Sequence, residues 1–349
     1  MVFGETIISW YHKNKRDLPW RHTSDPYRIW LSEIILQQTR VDQGLEYYNR
    51  FVKKYPNVKK LASANEDEIL KLWQGLGYYS RARNLHFAAK DVVKRFKGKF
   101  PSDHDDILSL KGIGEYTAAA IASFAFNKKY PVVDGNVFRV LSRYAGIQTP
   151  VNSPAGKKEF YSTALELMEK HSPHDFNQAI MEFGALQCKP QNPQCEGCPL
   201  NASCFAYEKK RVKDFPVKGK KTTARTRYFN YLCIHHGKNI HVRKRTGNDI
   251  WKNMYDFPLI ETQKKISVQK LMKLDEWKKY FPGKKFHLVS ESKTIKHQLT
   301  HQTIFAKFFE VRISSAIKIK GVKPVSKKQL AAIAIPRLIE NFVAQSKIV

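Results

Sequence analysis

The chain is short of acidic residues. Its 349 residues include 31 Asp and Glu against 61 Lys and Arg, a formal net charge of +30 and a pI near 9.8. Such an imbalance calls for an acidic partner, and nucleic acid is the default one. Long apolar runs are also missing: none approaches the roughly 18 residues of a membrane span, so no membrane partner is expected. Met1 to Trp20 carries charges throughout and lacks the apolar core of a signal peptide. A cytoplasmic, nucleoid-associated protein is therefore expected, and the lysine-rich composition reads as bacterial. Cysteine is scarce, with five residues; inside cells these serve metal sites or catalysis more often than disulfides. What is abundant is ordinary core material, 42% hydrophobic and 12% aromatic, which excludes disorder over most of the length. The length suits two or three packed domains.

Helical apolar spacing recurs in Tyr27–Val41, Leu45–Phe51, Ile69–Trp73, Leu85–Phe96 and Val137–Ala145. Turn signals separate these segments, among them Pro26, Pro56, Gly75 with Gly77, Gly98 with Pro101, and Pro150 to Pro154. The texture changes after residue 207. Residues 208–227 are basic and poor in apolar side chains, as in an exposed linker. Beyond them Tyr228–Ile234 and Ile240–Arg245 flank a short turn and predict a β-hairpin, Gln302–Ile313 predicts another strand, and Leu330–Val343 a terminal helix. His235 and His236 read as surface residues. The expected fold is multidomain: an all-α body over 1–207, then a smaller α+β domain over 228–349.

Four of the five cysteines fall within seventeen residues. Cys188, Cys195, Cys198 and Cys204 follow C-x6-C-x2-C-x5-C, so one short loop can fold around one metal centre. A four-cysteine zinc site is the alternative, but such sites usually comprise two separated C-x2-C knuckles. The unequal, clustered spacing favours a [4Fe–4S] cluster. Lys189, Lys209 and Lys210 lie close enough in sequence to contact phosphate beside it. Cys233, alone in a strand, reads as core.

Leu108-Ser-Leu-Lys-Gly-Ile-Gly-Glu-Tyr-Thr117, followed by the apolar run Ala118–Phe126, has the form of a helix–hairpin–helix. Gly112 and Gly114 allow a sharp turn and close approach to another molecule. The next helix then begins with free N–H groups and its positive dipole end facing that molecule, which makes a phosphate site. Many helical hairpins use glycine only to turn, so the motif alone is weak.

Two carboxylates stand out. Asp134 precedes the apolar-periodic Gly135–Leu141, where an N-cap is the plain reading. Capping N–H groups and the dipole would also keep it ionised, as a developing sugar cation requires. Glu33 lies inside the apolar helix Ile29–Arg40, where an unpaired carboxylate is costly. Either it pairs with Arg28 or Arg40, or it works in a cleft. A protonated and an ionised carboxyl together suit a reaction that needs an acid for the leaving group and an anion for a developing cation, as glycoside hydrolysis does. A carboxyl in an apolar pocket has a raised pKa and suits the acid role.

These residues resemble the MutY adenine glycosylases of the endonuclease III superfamily over nearly the whole length. The matching segments are Leu18–Arg21, Trp30–Glu33, Leu36–Thr39, Gly75–Arg81, the hairpin, Val133–Val137, Phe176–Ala179 and the four cysteines. The resemblance implies that Glu33 protonates adenine at N7 and later activates water, that Asp134 stabilises the oxocarbenium ion, and that Tyr116 and Asn136 orient them. Relatives that also cut the backbone carry lysine where Tyr116 stands, and tyrosine cannot form a Schiff base; a monofunctional enzyme is implied. Gln38 and Tyr78 match residues that wedge into the base stack, and Arg21 and Thr39 match residues near the lesion. For Tyr78 and Tyr79 alone, ordinary helix-packing aromatics would be the plainer reading.

The tail resembles the Nudix-like domain with which this family reads 8-oxoguanine, through Trp251–Glu261 and His297–His301. Thr300 and His301 retain the hydrogen-bonding groups, while Leu299 stands where the family has an aromatic. The glutamate-rich helix of Nudix hydrolases is missing, so the tail is expected to read a base and not to hydrolyse nucleotides. The implied partner is double-stranded DNA with A:8-oxoguanine or A:G mispairs, bound by a monomer. Two other readings are an endonuclease III-like glycosylase/lyase and a non-catalytic iron–sulfur DNA-binding protein.

Overall fold

The computed structural model describes residues 3–219, 224–281, 283, 285–317 and 319–346. It divides into two compact units: Met1–Ser63 with Asn84–Lys220, and Ala64–Arg83 with Lys221–Val349. The division does not follow the change of texture near residue 208, because twenty residues of the helical sequence belong to the second unit.

The first unit is helical, and its helices start where the sequence supplies a cap. Asp25, Asn57, Asp103, Asp134, Ser153 and Ser172 each accept a hydrogen bond from a backbone N–H of the following first turn. Pro26, Pro154 and Pro173 occupy first-turn positions whose missing N–H is not needed. The helix Phe3–Asn14 sends Phe3, Ile7 and Tyr11 into a core with Val137, Leu141, Phe160, Phe176 and Phe183. Each such side chain contributes roughly 1.5–3 kcal/mol on burial, so this N-terminal helix is held by residues more than a hundred positions away.

The segment Tyr27–Val41, expected as one helix, is two. The helix Pro26–Leu36 ends at Gln37, Gln38 adopts φ 55°, and a new helix Val41–Lys54 begins. Apolar spacing runs through the break and hides it. Gln37 Nε2 donates to Thr117 Oγ1 at 3.2 Å, a tertiary bond that local periodicity does not encode.

The second unit is built on an eight-stranded sheet: β1 Arg225–His236, β2 Asn239–Lys244, β3 Tyr255–Asp256, β4 Leu259–Thr262, β5 Phe286–Glu291, β6 Ile295–Gln298, β7 Gln302–Ile313 and β8 Val322–Ser326. β1 lies centrally, parallel to β7 over Arg225–His235 and antiparallel to β2 and β4. Its two faces are both covered, which is why it reads as a continuous apolar run. Leu232 and Ile234 pack with Phe309, Trp277 and Phe281. On the alternate positions Tyr231 stacks on Phe308, which stacks on Phe342 of the helix Arg337–Gln345. Cys233 is fully buried in β1, as expected of a core residue.

Three expectations change. The terminal helix Leu330–Val343 is split into Lys327–Ala332 and Arg337–Gln345, because Pro336 cannot continue a helix. The basic stretch 208–227 holds a short 3-10 turn at Val212–Asp214, and β1 already begins at Arg225. His235 and His236 are half-buried at the end of β1. No helix among the described residues is long and apolar enough to cross a membrane.

Candidate active site and iron–sulfur loop

A cleft of about 530 Å³ opens in the helical unit, lined by Arg21, Glu33, Gln38, Thr39, Tyr116, Asp134 and Asn136 among others. That volume lies within the range of small-ligand sites. Glu33 comes from the last turns of Pro26–Leu36 and is 7% exposed. Tyr116 Oη, in the first turn of the helix Glu115–Phe126, donates to Glu33 Oε2 at 2.8 Å. Burial pushes the Glu33 carboxyl up to about 7; the Tyr116 hydrogen bond and the Arg21 charge oppose the rise, and Asp134 adds to it. The ion-pair reading fails: Glu33 bonds to Tyr116, and Arg28 pairs with Asp25 at 3.7 Å.

Asp134 is the N-cap of Gly135–Ala145. Its Oδ1 accepts from the Asn136 and Val137 backbone N–H groups, and its Oδ2 from Asn136 Nδ2, each at 2.8 Å. Burial pushes the carboxyl up, and the caps and the Arg139 charge only oppose that rise. Three donors on two oxygens still match an ionised carboxylate, and of the two acids Glu33 has the environment that keeps a proton. Asn136 Oδ1 is held in turn by Arg139 Nη2 at 2.8 Å. Gly184 allows this packing, since a Cβ there would sit 2.7 Å from the Asn136 Cβ.

Arg21 occupies the cleft wall, with its guanidinium donating to both oxygens of Glu182 at 2.9 and 2.7 Å and to Arg16 O at 3.0 Å. Arg16 bonds the same carboxylate at 2.9 and 2.6 Å. Burial would raise the Glu182 pKa, but these bonds outweigh it and hold the carboxyl down to about 2. Arg21 thus joins an ion cluster in the cleft wall. Glu182 escaped the sequence reading, although it stands in the apolar helix Pro173–Leu186 much as Glu33 stands in its own.

Gln38, exposed and at φ 55°, and half-buried Thr39 lie at the cleft margin. The hairpin precedes Tyr116. Gly112 has φ 83°, and a Cβ there would meet the Asn84 Cβ at 2.6 Å. Gly114 is the N-cap at φ −104°, and a Cβ there would meet nothing within 4 Å. The first glycine is required by the fold; the second leaves open space in front of a helix N-terminus.

The remaining candidates lie in the second unit. Tyr78 is 45% exposed, at φ 45°, in a loop with Gly75 and Gly77; its neighbour Tyr79 is buried, and the Tyr79 hydroxyl accepts from Gly75 N at 3.3 Å. The packing reading therefore holds for Tyr79 only. Thr300 and His301 sit exposed at the turn between β6 and β7, and the Tyr78 and Thr300 hydroxyls are hydrogen-bonded.

Cys188, Cys195, Cys198 and Cys204 line one small cavity between the helix Gly135–Ala145 and the loop that follows Leu186. All four are half-buried free thiols. Arg143 braces the loop, donating to Lys189 O at 2.7 Å, Pro190 O at 3.3 Å, Val212 O at 3.1 Å and Cys188 Sγ at 3.4 Å. Burial and mutual repulsion push the Cys195, Cys198 and Cys204 thiols up. Among the described residues no three His, Cys, Asp or Glu converge as ligands of a single ion. Four sulfurs lining one cavity fit the cluster expected from their spacing.

Comparison with known proteins agrees with this layout. Residues 31–169 match the HhH-GPD superfamily of base excision DNA repair proteins, residues 188–204 the iron-sulfur binding domain of endonuclease III, and residues 230–345 the NUDIX domain. The adenine DNA glycosylase of Buchnera aphidicola from Schizaphis graminum is 36% identical over 305 residues, covering 87% of this chain and 85% of that protein. The Buchnera enzyme from Acyrthosiphon pisum is 37% identical over 268 residues, 76% and 77% of the two chains. The chain belongs to the adenine DNA glycosylase family. It is accordingly a DNA N-glycosylase of base-excision repair, with a helix–hairpin–helix body, a Nudix-like C-terminal domain and four cysteines that fit a [4Fe–4S] cluster. A solved thermostable thymine-DNA glycosylase is 36% identical to this glycosylase, with a TM-score of 0.56, and matches 59% of this chain and 95% of its own.

Proposed function

We propose that the enzyme excises adenine mispaired with 8-oxoguanine, and with guanine, from double-stranded DNA, that it is monofunctional, and that it acts as a monomer. The observation that carries the chemistry is Glu33, buried, held by Tyr116 and shifted to about 7, in the same cleft as a capped Asp134. In this reading Glu33 gives its proton to N7 of adenine. The bond from C1′ to N9 breaks with its electron pair leaving on the base, and Asp134 faces the resulting sugar cation. Glu33, now a carboxylate, takes a proton from the water that attacks C1′. Tyr116 and Asn136 hold the two carboxyls in place. The cluster would be held by Cys188, Cys195, Cys198 and Cys204 and would stiffen a basic loop.

Adenine is favoured over thymine because the adenine glycosylase relatives match 76% and 87% of this chain, so their similarity extends into the C-terminal domain, whereas the thymine-DNA glycosylase matches 59% of this chain. In the helical unit Gln38 is assigned to wedging into the base stack, Thr39 to contact near the lesion, and Gly112 with Gly114 to a phosphate; in the second unit Tyr78 is assigned to wedging, and Thr300 with His301 to reading the lesion. Arg21, held by Glu182 in the cleft wall, is assigned to contact near the lesion.

The test is a panel of duplexes containing A:8-oxoguanine, A:G, T:G and thymine glycol, assayed with and without hot alkali. Adenine release, with strand scission appearing only after alkali, is expected. Alkali-independent scission, or a preference for thymine or thymine glycol, would defeat the reading.

A further inference from the structure

The C-terminal unit grips a piece of the helical sequence. Residues Ala64–Arg83 cluster with Lys221–Val349, and the fastening is polar and spread along the segment. At its start Asn253 Nδ2 donates to Glu66 Oε1 at 2.5 Å and Lys244 Nζ pairs with Asp67 at 2.6 Å. At its end Arg83 Nη1 donates to Lys252 O at 3.0 Å.

Between these anchors lies Gln74, which uses both ends of its amide. Its Nε2 donates to Glu340 Oε1 at 2.8 Å, and its Oε1 accepts from Ile335 N at 3.3 Å and from Lys71 Nζ at 3.1 Å. Lys71 Nζ also donates to Ile333 O at 3.3 Å. Among the described residues Glu340 Oε2 is buried with no hydrogen-bond partner, so losing Gln74 would leave that carboxylate still poorer in donors. Immediately after Gln74 the backbone passes through Gly75 at φ 102°, Gly77 at 72° and Tyr78 at 45°. A loop with three left-handed residues in four has no helix or strand ladder to fix it.

We infer that Gln74 is a positioning residue through which the C-terminal domain, by way of Glu340 and Ile335, sets the pose of the loop that presents Tyr78. That this loop enters DNA rests on the function proposed above; the fastening itself does not.

The experiment is hydrogen exchange of the full-length, cluster-loaded protein at the amides of Leu76–Tyr79, with the helix Glu115–Phe126 as internal control. Gln74→Glu sets a carboxylate against Glu340 and should speed exchange in the loop about tenfold, the loss of roughly one charge-assisted hydrogen bond. Adding Glu340→Gln restores a donor and an acceptor with reversed polarity, and exchange should return to near the wild-type rate. Unchanged exchange in Gln74→Glu, or a double variant as fast as the single one, would overturn the inference. If Gln74→Glu fails to fold, Gln74→Ala with Glu340→Leu removes the bond without stranding a charge and must still loosen the loop. A duplex with 2-aminopurine beside the A:8-oxoguanine pair separates the two claims. A fluorescence change lost in Gln74→Glu and regained in the double variant supports both. A loosened loop with an unaltered change supports the fastening and rejects Tyr78 as the inserted group.

Discussion

Tyr116 Oη donates to Glu33 Oε2 across 2.8 Å, joining the first turn of the helix after the glycine hairpin to the helix that carries the buried acid. One bond therefore ties the helix that follows the hairpin to the buried carboxyl proposed as the proton donor. It also tempers the rise that burial imposes on the Glu33 pKa, because a hydrogen bond to the carboxylate favours its ionised form.

Removing that bond should move the pH profile in a known direction. General-acid catalysis needs Glu33 protonated, so single-turnover base release should fall as pH rises through about 7. Tyr116→Phe removes an interaction that lowers the Glu33 pKa, so the falling limb should shift to higher pH. A limb that stays in place, or moves to lower pH, would show that the Tyr116 bond does not govern the acid.

The same shift has a consequence for stability. A carboxyl raised from 4.5 to about 7 binds its proton more tightly in the folded state. Its burial is harmless below pH 4.5 and destabilises the fold increasingly as pH rises toward 7. Glu33→Gln removes that penalty, and above pH 7 it should stabilise the protein by about 3 kcal/mol. Urea midpoints at pH 5 and pH 8 check this: the variants should nearly coincide at pH 5 and separate at pH 8, with Gln more stable.

Glu182 behaves in the opposite sense. Held at about 2 by Arg21 and Arg16, it contributes stability above pH 4.5 that is lost as pH falls toward 2. Glu182→Gln leaves the Arg21 guanidinium, 9% exposed, without its counter-charge and should destabilise the helical unit by about 3 kcal/mol at pH 7. The less neutralised Arg21 should also lower the Glu33 pKa, moving the limb of base release to lower pH. Thermal unfolding and the pH profile read these effects separately.

How much of this the sequence discloses depends on how local each cause is. The cysteine loop, the Asp134 cap and the carboxylate inside Pro26–Leu36 are visible because spacing, capping chemistry and apolar context are local. The Arg16–Glu182–Arg21 cluster joins residues 161 and 166 positions apart, and no local pattern marks it. The attachment of Ala64–Arg83 to the C-terminal unit is concealed for the same reason, since side chains such as Glu66, Asp67 and Gln74 read as ordinary exposed helix residues. Asp134 shows a further limit: its caps are legible, but the burial that outweighs them comes from the surrounding cleft.

The two hairpin glycines should separate fold from binding. Gly112→Ala meets both φ 83° and the Asn84 Cβ and should destabilise the protein by about 1–2 kcal/mol or more. Gly114→Ala meets no protein atom within 4 Å and should leave the melting temperature unchanged. It should weaken duplex binding roughly tenfold, about one charged hydrogen bond. Equal melting temperatures for the two variants would contradict this division of labour.

The central claim is that Glu33 supplies the proton that releases adenine. Its most direct test is single-turnover release from an A:8-oxoguanine duplex by Glu33→Gln, with duplex affinity and cluster absorbance measured on the same preparation. Unimpaired binding, an intact cluster and no detectable adenine release are expected. Release at near the wild-type rate from a fully bound duplex would contradict it.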